Sequence, residues 1–99
     1  MSGFNKASDV LLESNGIYFI ECPGCKNLHP FHVAEKHKIR WDFNGNLDKP
    51  TFTPSLLVNG SHPESRCHSF VTDGKIQFLL DCHHTLAGQT VDLLPVEEF

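Results

Sequence analysis

Four dipeptides cut this chain into short pieces: Asn15-Gly16, Asn44-Gly45, Asn59-Gly60 and Asp73-Gly74. Asn, Asp and Gly tolerate the positive φ angles that tight hairpin turns demand. The stretches between these turns are short, apolar and rich in alternation, so they read as strands. Val10-Leu11-Leu12 and Ile17-Tyr18-Phe19-Ile20 flank the first turn and predict a hairpin running straight into Cys22. Lys38 to Phe43 alternates with period two and reads as a half-buried strand ending at the second turn. Pro50 and Pro54 lack N–H donors, which places residues 49–55 on an edge strand or in an extended loop. Leu56-Leu57-Val58 then re-enters the core, and a last short strand covers Gln89 to Leu94. Phe31 to Lys38 could form one helical turn or two; Gly and Pro punctuate the rest.

The third hairpin is the best defined, because Cys67-His68-Ser69-Phe70-Val71 and Ile76-Gln77-Phe78-Leu79-Leu80 flank Asp73-Gly74. A two-residue turn sets Val71 opposite Ile76, Ser69 opposite Phe78 and Cys67 opposite Leu80. Side chains alternate across a sheet, so Cys67 and Cys82 share one face as diagonal neighbours, about 7–8 Å apart, and His68 points to the other.

The expected fold is therefore mainly β, a small single domain of antiparallel hairpins stapled by one zinc site. A chain of 99 residues has room for one core. Residues 1–8 show no periodicity and are expected to be a flexible N-terminus, with residues 9–99 forming the zinc-binding domain.

The zinc enters through Cys22-Pro23-Gly24-Cys25 at the end of a strand. That spacing lets two thiolates of one tight turn bind the same tetrahedral ion while backbone amides bond to the sulfurs. A redox pair would need its first cysteine at a helix N-terminus, and nothing helical follows Cys25. Two further ligands must come from elsewhere. Cys67 and Cys82 would complete a four-cysteine site, and His84 and His29 are the alternative ligands.

Charge and polarity bound the partners. Eight Lys and Arg against twelve Asp and Glu give a net charge of −4, which disfavours non-specific binding to a phosphate backbone. The N-terminus lacks a secretory signal, and no apolar run approaches the about 20 residues needed to cross a bilayer. These features point to the cytoplasm, where four cysteines imply a metal more than disulfides.

Sequence motifs for catalysis are missing: the deaminase and zinc-protease patterns, phosphate loops and nucleophile elbows are not found. No catalytic residue is assigned, and the chain reads as non-enzymatic. Thr51, Thr53 and Ser55 alternate along the Pro-flanked segment and, with His68, form a possible ligand-binding set. A histidine beside Asp81, either His83 or His84, could act as a general base if it were free of metal. Trp41, Phe43, Phe52 and Phe70 read as core aromatics.

The order of motifs resembles a family of small uncharacterised phage and prophage proteins. It is carried by Cys22-Pro23-Gly24-Cys25, Phe43-Asn44-Gly45, Lys49-Pro50-Thr51-Phe52-Thr53-Pro54-Ser55-Leu56-Leu57, Cys67-His68-Ser69-Phe70-Val71, Gly74-Lys75-Ile76-Gln77-Phe78 and Asp81-Cys82-His83-His84-Thr85-Leu86-Ala87-Gly88-Gln89-Thr90-Val91. Some members carry an ammonia monooxygenase label, which these motifs do not support. The resemblance implies a zinc-binding phage accessory protein in the host cell cytoplasm, with His84 a stricter family position than Cys82. The functional expectation is a non-enzymatic, zinc-stabilised module that binds a host or phage macromolecule, a protein first of all, and modulates host defence. The alternative is a small-molecule or nucleotide-binding protein or a zinc-dependent hydrolase.

A zinc site of this kind contributes about 10–16 kcal/mol, more than the usual stability of a whole domain. Elemental analysis should find about one zinc per chain, and a strong chelator should abolish the near-UV circular dichroism; a chelated chain that keeps its tertiary signal would contradict this.

Overall fold

The computed structural model describes residues 5–33 and 40–96. Two antiparallel sheets account for all the regular structure among them, and no helix is present there. The first sheet runs in chain order through β1 (Asn5–Lys6), β2 (Leu12–Ser14), β3 (Ile17–Glu21) and β4 (Leu28–His32). The second runs, also in chain order, through β5 (Asp42–Phe43), β6 (Phe52–Val58), β7 (Cys67–Thr72), β8 (Lys75–Phe78) and β9 (Thr90–Asp92).

Two of the turns behave as their sequences require. Asn15 and Gly16 adopt φ of 53° and 79°, and Asp73 and Gly74 adopt 51° and 77°, so each pair closes a two-residue hairpin. The β7–β8 register matches the expectation, with Val71 opposite Ile76 and Ser69 opposite Phe78. The other two pairs do less. Asn44-Gly45 opens a longer loop in which the Asn44 carboxamide oxygen accepts from the Asn46 and Thr51 amides. Asn59-Gly60 begins the connection between β6 and β7.

Three expectations need correction. β8 ends at Phe78, so Cys67 has no strand partner at Leu80, which turns outward and is 86% exposed. Phe31 lies in β4, not in a helical turn, and residues 34–39 of that stretch lie outside the described residues. Pro54 lies within β6, which has strand neighbours on both sides and is not an edge strand. The register between β6 and β7 shifts between Phe52 and Leu56, an irregularity of the sort that tolerates a residue with no N–H to donate. Asn5 and Lys6 pair with Glu13 and Leu12, and residues 1–4 are outside the described part.

Strand alternation builds the core between the sheets. β7 buries Cys67, Ser69 and Val71 and turns His68, Phe70 and Thr72 away, while β4 buries His29 and Phe31. Phe31 of the first sheet stacks on Phe52 of the second at 4.2 Å between ring centroids, and Phe43 stacks on the same ring at 4.9 Å. Trp41 closes the group edge-on against Phe31. Phe70, read as core from its type, is instead 38% exposed, because its even position in β7 faces outward.

Phe52 is fully buried at the centre of this stack. Phe52→Ala should cost about 3–5 kcal/mol of stability in urea denaturation followed in metal-replete buffer, whereas a loss below about 1 kcal/mol would mean that the stack does not join the sheets.

Candidate functional site: a cysteine–histidine cluster and a polar triad on opposite faces of one strand

The end of β3 delivers Cys22 into a tight turn. Cys22 donates its N–H to the Asn27 carbonyl at 2.9 Å, Lys26 donates back to the Cys22 carbonyl at 2.9 Å, and the Cys25 amide donates to Cys22 Sγ at 3.3 Å. The turn needs Lys26 at a φ of 63° and leaves no room at Gly24, where a Cβ would fall 2.3 Å from the His84 ring. A side chain at this position would have to displace the His84 ring packed over it.

Cys67, on the inner face of β7, meets this turn. Its Sγ lies 3.8 Å from Cys22 Sγ and 3.6 Å from His84 Nε2. Cys22, Cys25, His29 and Cys67 each offer a ligand atom within 4.8 Å of all the others, and Cys67, Cys82 and His84 form a second, overlapping group. His29 Nε2 is buried without a hydrogen-bond partner, in a residue only 3% exposed. An orphaned imidazole nitrogen beside three thiols has the donor chemistry of a zinc ligand. This cluster could hold a metal ion.

The thiols are electrostatically linked. The hydrogen bond from Cys67 holds the Cys22 thiol down to about 3 against the opposing effect of burial. The same bond, then burial, push Cys67 up, while burial and the charge on Cys22 push Cys25 up to about 11. Two close sulfurs are thus sharing one negative charge, and a divalent cation would hold both as thiolates. Burial also lowers His84, which favours the neutral imidazole that binds metal. A cleft of about 300 Å³ beside Cys25, His29 and His83 gives an ion a way in.

The outer face of the second sheet carries a different chemistry. Ser55 Oγ lies 3.0 Å from His68 Nε2, and His68 Nδ1 lies 3.3 Å from Asp81 Oδ2. Trp41 Nε1 donates to the Ser55 carbonyl at 3.3 Å, tying the serine's backbone to the aromatic group beneath it. A hydroxyl on one imidazole nitrogen and a carboxylate on the other is the arrangement of a nucleophile, its general base and the group that orients the base. Apo geometry of this kind often runs slightly long and tightens on substrate.

The chain matches the family model described as bacterial ubiquitination-like system serine protease (BubE), over residues 5–79. It belongs to this family. The match takes in Ser55, His68, Cys22, Cys25 and Cys67. No curated protein and no solved structure matches the chain significantly. The phage and prophage family expected from the motifs is not the one matched: the matching family is described by a bacterial system and a hydrolytic chemistry. No helix among the described residues is long and apolar enough to cross a membrane.

Of the residues singled out in the sequence, Ser55 and His68 come together, while Thr53 is exposed and paired with Asp42. Thr51 uses its hydroxyl to accept the Asp73 amide at 2.9 Å, which fastens the β7–β8 turn. Cys82 bonds through sulfur to the backbone of His68. His83 is exposed, with Nε2 3.4 Å from Cys25 Sγ. Sequence reasoning associates Asp81 with His83 or His84, its neighbours in the chain, but the histidine it meets is His68. The missed signal is parity: His68 occupies an outward position of β7, and Ser55 an outward position two residues before Leu57, its cross-strand partner.

Proposed function

We propose that this chain is a serine protease in which Ser55 is the nucleophile, His68 the general base and Asp81 the residue that orients the base. The single observation that carries this is the continuous Ser55–His68–Asp81 contact, with Oγ–Nε2 at 3.0 Å and Nδ1–Oδ2 at 3.3 Å. His68 takes the Ser55 hydroxyl proton as Oγ attacks the scissile carbonyl, then returns that proton to the departing amine. Water, deprotonated by the same nitrogen, hydrolyses the acyl-enzyme and frees Ser55. Asp81 accepts from Nδ1 and stabilises the imidazolium formed on the way.

The family description names a ubiquitination-like system; conjugation of the ubiquitin type joins the terminal carboxyl of a modifier protein to an amine. The reading for this chain is cleavage of a peptide or isopeptide bond at such a carboxyl. The macromolecular partner expected from the sequence is then the modifier protein itself. The outer sheet face suits an extended polypeptide, since Leu57, the cross-strand neighbour of His68, is 52% exposed there beside Phe70.

In the same reading, Cys22, Cys25, Cys67 and His29 hold a zinc ion whose role is structural. Ligand Cys67 and base His68 are adjacent on β7 and project to opposite faces, which keeps the ion out of the chemistry. Four protein ligands also close the coordination sphere.

An alkyl fluorophosphonate should label the wild-type chain at Ser55. Ser55→Ala should abolish labelling, and Asp81→Asn should slow it roughly 10³–10⁴-fold, both read by intact mass; label on another residue would sink the assignment. His29→Ala should lower zinc content in elemental analysis while His84→Ala leaves it close to the wild-type value; the reverse result would make His84 the fourth ligand.

A further inference from the structure

We propose that Cys82 is a positioning residue of the triad, a side chain that holds the backbone of His68 in place and fixes Asp81 beside it. The proposal rests on the hydrolase reading above. Its basis is the way the chain departs from the sheet after β8. The Leu79 amide still donates to the His68 carbonyl at 2.9 Å, as a continuing strand would. The chain then swings out at Leu80 and returns through a tight turn closed by the Cys82 amide on the Leu79 carbonyl at 3.2 Å. It rejoins β7 at His83, whose amide donates to the Arg66 carbonyl at 2.9 Å.

Within that excursion the sulfur of Cys82 does what a strand backbone would otherwise do. Cys82 Sγ accepts the His68 amide at 3.2 Å and donates to the His68 carbonyl at 3.1 Å. One side chain thereby engages both backbone polar groups of the general base, in a residue only 9% exposed. The hydrogen-bond geometry makes Cys82 a partner of the His68 backbone. The same sulfur also belongs to the group of Cys67, Cys82 and His84 that could hold an ion, so the test below reads metal content as well as rate.

The consequence for catalysis is positional. Asp81 precedes Cys82 in the same turn, so the sulfur that fixes His68 also fixes the carboxylate facing its Nδ1. Two of the three triad members hang on one side chain. A misplacement of about 1 Å in such a constellation costs about 100-fold in rate, which is the scale on which a lost anchor should be felt.

The test uses the full chain in its metal-replete form, with an alkyl fluorophosphonate to read the reactivity of Ser55 and p-nitrophenyl acetate to separate kcat from KM. Cys82→Ala should slow labelling and lower kcat by about tenfold or more, with KM within about twofold of wild type and metal content unchanged. Cys82→Ser, which keeps a donor and an acceptor, should recover most of the rate. Amide exchange at His68 should quicken in Cys82→Ala and stay slow in Cys82→Ser, a local signature that general destabilisation would not confine to this residue. If Cys82→Ala fails to fold, Cys82→Val fills the same space without hydrogen bonds and takes its place. A folded variant that labels within about twofold of wild type overturns the proposal, as does one that loses its metal, which would make Cys82 a ligand. A wild-type chain that takes no label removes the hydrolase reading and this role with it; a labelled wild type beside an unaffected variant removes only the role of Cys82.

Discussion

The 3.8 Å approach of Cys22 and Cys67 ties the turn after the first sheet's third strand to the start of β7 in the second sheet. Cys22 directly follows β3 of the first sheet and Cys67 begins β7 of the second. Both are buried, and burying a charged sulfur is costly unless a hydrogen bond or a cation compensates it. The turn around Gly24, the orphaned nitrogen of His29 and the His84 ring packed on the glycine all follow from bringing these sulfurs together. At the other end of the inter-sheet layer, the Phe31–Phe52–Phe43 stack joins the sheets by apolar contact alone. One joint is built of groups that could hold a metal ion, and the other is apolar.

β7 is where that joint meets the chemistry. Period two sends Cys67 inward to the cluster and His68 outward to Ser55 and Asp81, so the two sites share a peptide bond and no common space. A change at the cluster can reach His68 by moving the strand, without any cluster side chain touching Ser55 or Asp81. In the proposed reading, the serine lies on an open sheet face that an extended chain can approach.

Part of this is legible in the sequence, for local reasons. Asn15-Gly16 and Asp73-Gly74 determine two hairpins because positive φ at both positions leaves little alternative, and the Asp73-Gly74 turn carries the β7–β8 register with it. Cys22-Pro23-Gly24-Cys25 announces a tight ligand turn, since the spacing and the turn are one feature. The alternation of β7 already separates Cys67 from His68. What the tertiary structure alone decides is every pairing across a connection with no turn rule. Residues 59–66 join β6 to β7, and the register between them shifts between Phe52 and Leu56, so nothing local says that Ser55 meets His68. The turn from Leu79 to Cys82 interrupts the ladder that a regular hairpin would continue, and that interruption carries Asp81 to His68 and Cys82 to the backbone of the base. The physical reason is range: turn chemistry and side-chain parity act over a few residues, whereas the Ser55–His68–Asp81 contacts and the approach of His29 to the cysteines depend on how two sheets and one irregular turn close on each other.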